Sequence, residues 1–128
     1  MLRCVLLVDD DSDIRLVGEL ALAAVGGLET HLADSGHEAL RIARDVGPDL
    51  ILLDVMMPKM DGPATLAALR ADPSLATIPV AFCTARAQQH EVEALRALGA
   101  IGVIAKPFDP MTLAAQAREL YAGATSGP

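Results

Sequence analysis

The sequence predicts an α/β domain, a doubly wound five-stranded parallel sheet with helices on both faces. Three observations carry that prediction. Short aliphatic runs, Cys4-Val5-Leu6-Leu7-Val8, Leu50-Ile51-Leu52-Leu53 and the stretches 78–83 and 100–105, lack polar alternation, as strands buried on both faces do. These runs alternate with helix-periodic segments bounded by Gly, Pro and capping residues. The run 28–33 is more polar, with Glu29, Thr30 and His31, which suits an edge strand and is compatible with strand order 2-1-3-4-5.

Composition narrows the classes. At 128 residues, with 52% hydrophobic and 21% charged, the chain can bury a real core and is not disordered. Aromatic residues make up only 2%, so that core is aliphatic. A net charge of -7 lacks the clustered Lys and Arg that phosphate backbones require, which argues against a direct nucleic-acid partner. No apolar stretch is long enough to span a bilayer, and residues 1–3 enter a strand too quickly for a signal peptide, so a cytoplasmic protein with no membrane partner is expected. Cys4 and Cys83 each lie in an apolar strand and are expected as buried, reduced thiols.

In chain order, the first strand stops at Asp9-Asp10-Asp11. Asp11 or Ser12 then caps a helix with Ile14, Val17, Ala21 and Ala24 on one face, ended by Gly26-Gly27. Leu16, Leu20 and Ala23 lie on another face and are also expected to cover core. After the second strand, Ser35 and Glu38 form a capping box for a helix carrying Ala39, Leu40, Ile42, Ala43 and Val46, closed by Gly47-Pro48. The third strand runs into Asp54, and Pro63 opens a short helix with Leu66, Leu69 and Arg70. The fourth strand finishes at Thr84 and precedes a helix with Val92, Leu95 and Leu98. The fifth finishes at Lys106, and Asp109-Pro110 starts the last helix, with Leu113, Ala117, Leu120 and Tyr121 facing inward. Residues 1–121 thus form one domain, and 122–128 read as a flexible tail or the start of a linker.

The strand ends share a chemistry. Right-handed crossovers put the carboxyl ends on one side, gathering Asp9 and Asp10, Asp54, Thr84 and Lys106. Each alone is an ordinary cap or turn residue. Together, three carboxylates would repel one another unless a cation sat among them. An all-oxygen set suits Mg2+, and His31, His37 and His90 are scattered surface positions that offer no softer cluster. A carboxylate beside Mg2+, with a Lys and a hydroxyl in reach, has the parts to receive a phosphoryl group, with Asp54 as nucleophile. The phosphate loops of nucleotide-binding proteins are absent.

The segments Leu7-Val8-Asp9-Asp10-Asp11, Leu52-Leu53-Asp54-Val55-Met56-Met57-Pro58, Met60-Asp61-Gly62, Cys83-Thr84-Ala85 and Ala105-Lys106-Pro107-Phe108 occur in a specific order. In that order the chain closely resembles, along nearly its whole length, the response-regulator receiver domain of two-component signalling. That CheY-like family has a flavodoxin-like fold. The resemblance implies that Asp54 takes a phosphoryl group from a partner's phosphohistidine, on a sensor histidine kinase or a histidine phosphotransfer protein. Asp9 and Asp10 would organise Mg2+ with Asp54 and the backbone carbonyl of Met56, and Thr84 and Lys106 would bind phosphoryl oxygens. It also implies a cis Lys106–Pro107 bond, a donor docking on the helix that begins at Ser12, and a protein target on the face formed by the fourth helix, fifth strand and fifth helix.

Two departures bear on function. Val103 stands where the family commonly has an aromatic ring that follows the Thr hydroxyl inward, so signalling by ring burial is not expected. Met56 and Arg86 occupy positions that tune hydrolysis of the acyl phosphate, and an apolar Met56 gives water no polar guide, so the phosphorylated lifetime is not expected to be especially short. The expected protein is a signalling phosphoacceptor that assists only its own phosphorylation and dephosphorylation. A small Mg2+-dependent phosphatase with an aspartyl-phosphate intermediate would usually keep a second acid where Met56 stands. A receiver-like module that binds partners without phosphorylation would need a damaged site, and a flavin or nucleotide carrier would not place an acidic loop after its first strand.

Overall fold

A computed structural model of the chain describes residues 1–125. Its strands are β1 (Cys4–Val8), β2 (Glu29–Ala33), β3 (Leu50–Asp54), β4 (Val80–Thr84) and β5 (Gly102–Ala105). All pairings are parallel and the order is β2-β1-β3-β4-β5, as expected, with the polar β2 at an edge. The helices are α1 (Ser12–Glu19), α2 (Gly36–Val46), α3 (Gly62–Ala71), α4 (Gln89–Ala97) and α5 (Leu113–Thr125).

Alternation along each strand divides the aliphatic side chains between two cores. Leu50 and Leu52 of β3 join Val5, Leu7 and Cys83 beneath α1 and α5, where Leu113, Ala114 and Ala117 pack. Ile51 and Leu53 join Leu6, Val8 and Phe82 beneath α2 and α3, with Ala39, Ala43, Leu66 and Leu69. Every residue of β3 and β4 is buried. The continuous apolar runs are therefore a consequence of coverage on both faces.

The caps follow the local chemistry. Asp11 accepts from the Asp13 N–H at 2.8 Å, Ser35 from Glu38 at 3.1 Å and Asp61 from Ala64 at 2.9 Å. Glu38 closes its box one residue early, accepting from the backbone N–H of Asp34 rather than that of Ser35.

Several expectations are corrected. Leu16 and Leu20 are 57% and 52% exposed, because α1 lies on the sheet through Ile14, Val17 and Gly18, and the opposite side faces solvent. Leu22, four residues after buried Gly18, is also in the core, whereas Ala24 is exposed. The reason is a π-helical continuation of α1, Leu20–Val25, in which the Gly26 N–H reaches back five residues to the Ala21 carbonyl at 3.0 Å. The wider turn rotates the buried stripe out of α-helical register. In α4 no residue is fully buried: Val92 and Leu95 are half-buried and Leu98 is exposed. Asp109 caps a turn, accepting from the Met111 N–H, and regular α5 starts only at Leu113. It continues to Thr125, so residues 122–125 of the expected tail are helical, and 126–128 lie outside the described residues. Cys4 is half-buried rather than buried, because β1 begins at the rim beside the edge strand. His31 is half-buried beside Glu29, while His37 and His90 are exposed. β2, β4 and β5 begin one or two residues later than the apolar runs.

Candidate functional site

The strand ends meet in one cleft of about 580 Å³, lined by Asp9, Asp10, Asp54, Met56, Thr84 and Lys106 among others. β1 and β3 are adjacent, with Val8 opposite Leu53, so Asp9 and Asp54 leave the sheet side by side. β5 lies beyond β4, and Lys106 spans that distance with its long side chain. Its ammonium donates to Asp9 Oδ2 at 2.5 Å and to Asp54 Oδ1 at 2.8 Å. The Lys106–Pro107 bond is cis, as the resemblance implied.

The acidic loop is held by its own backbone. The Asp11 N–H donates to Asp9 Oδ1 at 2.9 Å, and Arg15 donates to the Asp9 carbonyl at 2.8 Å. Sequence reading missed Arg15; its only signal is a cation one turn into the helix after three acids. Asp9 and Asp54 are buried whereas Asp10 is exposed. Thr84 is buried, and its Oγ1 accepts from the Arg86 N–H at 3.0 Å.

Behind Asp54 the chain turns through residues 55–61 and returns at Gly62, whose N–H donates to the Val55 carbonyl at 2.9 Å. A Cβ on Gly62 would lie 2.4 Å from the Asp54 carbonyl oxygen and 2.9 Å from Val55 Cα. Both are backbone atoms that cannot swing aside. Gly62→Ala is therefore expected to destabilise the domain by about 1–3 kcal/mol, read as a lower urea midpoint, and to displace the loop after Asp54.

Electrostatics follow from the crowding. Burial pushes the Asp54 carboxyl above its ordinary range, and the neighbouring Asp9 charge adds to the effect. Hydrogen bonding to Lys106 and the Met56 backbone oppose it without cancelling it. Burial pulls the Lys106 ammonium down, but its bonds to Asp54 and Asp9 outweigh that and hold it above the usual lysine value. A carboxyl whose folded pKa is raised stabilises the fold only while protonated, and that contribution is lost as pH rises through the folded value. At neutral pH without divalent cations, Asp54→Asn is thus expected to raise the melting temperature, with the gain shrinking as pH falls below the folded pKa of Asp54. Equal melting curves at pH 7 would overturn this.

The donor set fits a hard divalent cation. Oxygens of Asp9, Asp10 and Asp54 all lie within 4.8 Å of one another. Opposite ligands on Mg2+ are about 4.2 Å apart, so the scale matches. Three carboxylates against one ammonium leave a charge of -2 at the mouth of the cleft, equal and opposite to the ion.

Comparison with known proteins finds relatives along most of the chain. The profile of the response regulator receiver domain family matches residues 5–118. Regulatory protein AtoC of Escherichia coli (strain K12) is 41% identical over 106 residues, 82% of this chain and 22% of that protein. DNA-binding response regulator MtrA of Mycobacterium leprae (strain TN) is 35% identical over 118 residues, 92% of this chain and 51% of that protein. The chain therefore spans about half the length, or less, of these relatives. Among solved structures, chemotaxis protein CheY4 of Vibrio cholerae superposes with a TM-score of 0.84 at 32% identity, covering 94% of this chain and 99% of that one. The signal receiver domain of a signal transduction histidine kinase from Syntrophus aciditrophicus gives 0.79 at 32% identity, covering 98% and 95%.

Proposed function

Since the chain belongs to the response regulator receiver domain family of two-component signalling, we propose that Asp54 is its phosphoacceptor and that Mg2+ is bound by Asp9, Asp10, Asp54 and the Met56 backbone carbonyl. The observation that carries this reading is the position of the Lys106 ammonium, 2.8 Å from Asp54 and 2.5 Å from Asp9, at the edge of a three-carboxylate cluster.

Bound Mg2+ supplies charge neutralisation for the phosphoryl oxygens. An Asp54 oxygen attacks phosphorus of a phosphohistidine, the P–O bond forms as the donor's P–N bond breaks, and the imidazole leaves with the electron pair and is protonated. Lys106 moves from carboxylate to phosphoryl oxygen and Thr84 donates its hydroxyl to another. The domain is a substrate that assists its own modification. The donor is a sensor histidine kinase or a histidine phosphotransfer protein, reached at the cleft beside α1, and the setting is cytoplasmic.

Thr84 also supports the output. It borders a second, largely apolar cavity of about 290 Å³ with Val55, Met56, Arg86, Ala94 and Leu95. A hydroxyl drawn toward the phosphoryl group gives up the Arg86 N–H and opens space under α4, which no fully buried residue anchors. Movement of α4 over half-buried Val103 then replaces ring rotation as the signal to a protein bound at α4, β5 and α5.

Intact mass after incubation with acetyl phosphate and Mg2+ tests the reading. One phosphoryl adduct is expected, lost in Asp54→Ala and on chelation of Mg2+. If neither acetyl phosphate nor beryllofluoride modifies or binds wild type, the phosphoacceptor assignment fails, and a partner-binding module without phosphorylation becomes the better account.

A further inference from the structure

At the opposite end of the sheet, Cys4 of β1 lies directly across from Glu29 of the edge strand β2, and His31 is two residues further along β2. Period-two alternation puts all three side chains on the same face. They converge: Glu29 Oε2 accepts from Cys4 Sγ at 3.4 Å and lies 2.7 Å from His31 Nε2. The sulfur, nitrogen and oxygen atoms all fall within 4.8 Å of one another. Asp49 adds negative charge, its carboxylate accepting from the Arg3 and Cys4 N–H groups at 3.1 and 3.0 Å.

We propose that Cys4, Glu29 and His31 form a second metal site, for a borderline-soft divalent cation of the Zn2+ class. The donors decide the class, because one thiolate, one imidazole and one carboxylate suit Zn2+ and disfavour Mg2+. Bond lengths of about 2.0–2.3 Å place tetrahedral ligands about 3.3–3.8 Å apart, so small side-chain rotations suffice. As the metal–sulfur bond forms, the Cys4 thiol releases its proton to solvent, and His31 binds through Nε2, the ring proton that Nε2 now shares with Glu29 passing through solvent to Nδ1. The hydrogen bonds now centred on Glu29 are replaced by bonds to one ion, and a fourth position stays open to solvent.

Two features favour a ligand over a merely structural triad. Among the described residues only Glu29 hydrogen-bonds the thiol, and the Asp49 carboxylate, held on the Cys4 N–H, sets a further negative charge beside it that a cation would offset. The ligands also come from two strands, so the ion would tie the exposed edge strand to the sheet. The site is about 16 Å from the acidic cleft, five residues along β1, and is independent of the phosphoacceptor reading.

The test is Co2+ titration of the metal-free chain, followed by absorption. One equivalent should produce tetrahedral ligand-field bands with a thiolate-to-cobalt charge-transfer band, both lost on adding Zn2+. Oxygen-only binding at the acidic cleft cannot give the charge-transfer band. Cys4→Ser should abolish it, and His31→Gln or Glu29→Gln should weaken binding at least about tenfold. Asp54→Ala should leave it unchanged. Zn2+ should raise the melting temperature of wild type and not of Cys4→Ser. Absence of the band at stoichiometric Co2+, its survival in Cys4→Ser, or indifference to both His31→Gln and Glu29→Gln would overturn the proposal.

Discussion

Lys106→Met is expected to slow phosphorylation of Asp54 by acetyl phosphate about 10²–10³-fold, the usual loss when one positioned donor to developing charge is removed. The same change should tighten Mg2+ binding. Without the ammonium the three carboxylates carry -3 rather than -2, so the ion meets a stronger field while the phosphoryl group meets a weaker one. Opposite movements of metal affinity and phosphorylation rate distinguish a phosphoryl contact from a purely structural counter-ion. Burial and the Asp9 charge already raise the Asp54 carboxyl, and losing Lys106 removes the largest opposing influence. In the variant, the metal-free protein should therefore hold its Asp54 proton to higher pH. Phosphorylation at the wild-type rate would remove Lys106 from the proposed mechanism, and calorimetric titration with Mg2+ supplies the second reading.

How much of this site was legible in the sequence depends on how rigidly its residues are placed. Asp9, Asp54 and Thr84 sit at or next to the ends of strands whose side chains are all or nearly all buried, so an uninterrupted apolar run points at each of them. Lys106 follows β5, an edge strand buried only at Gly102 and Ile104 and so marked by an apolar run alone, and parallel order brings the four together. Arg15 was invisible, because a backbone carbonyl is its partner and no sequence pattern marks one. The Cys4 cluster was hidden for a different reason. It depends on register between β1 and β2, and register is set by tertiary pairing.

Helical faces were less legible. Spacing alone makes Leu16 and Leu20 as good core candidates as Ile14 and Val17, and only the direction in which α1 meets the sheet separates them. Leu22, four residues after buried Gly18, keeps α-helical register, and the π-helical turn then carries Ala24 out of the stripe. In α4 the pattern Val92, Leu95, Leu98 is correct for an amphipathic helix, yet none of the three is fully buried. That shortfall has a functional counterpart, since a weakly anchored helix beside Thr84 is the element the proposed switch must move. At the chain's other end, Ala122, Gly123 and Ala124 carry no strong pattern, and helix continues through them from the well-packed turn at Ala117 and Leu120.

Phe82→Ala is expected to cost about 3–5 kcal/mol, measured as a shift in the equilibrium urea curve, which is a large share of the 5–15 kcal/mol typical of a domain. Phe82 is the largest fully buried side chain and stands on β4 between Leu53 and Val103. Its ring reaches toward Gly62, where a Cβ would come within 3.0 Å of it, so it packs under the return of the loop that carries Asp54. Truncation opens a void among Leu53, Leu66 and Leu69 that the aliphatic neighbours can only partly fill. Phe82→Leu keeps most of the volume and should cost less than about 1.5 kcal/mol. The pair separates packing from position. If the ring anchors the loop, phosphorylation of folded Phe82→Ala, measured well below its unfolding midpoint, should also fall, while Phe82→Leu stays near wild type. A loss below about 1.5 kcal/mol in Phe82→Ala would mean that α3 collapses onto β4 and that the Asp54 loop is held by its own backbone bonds alone.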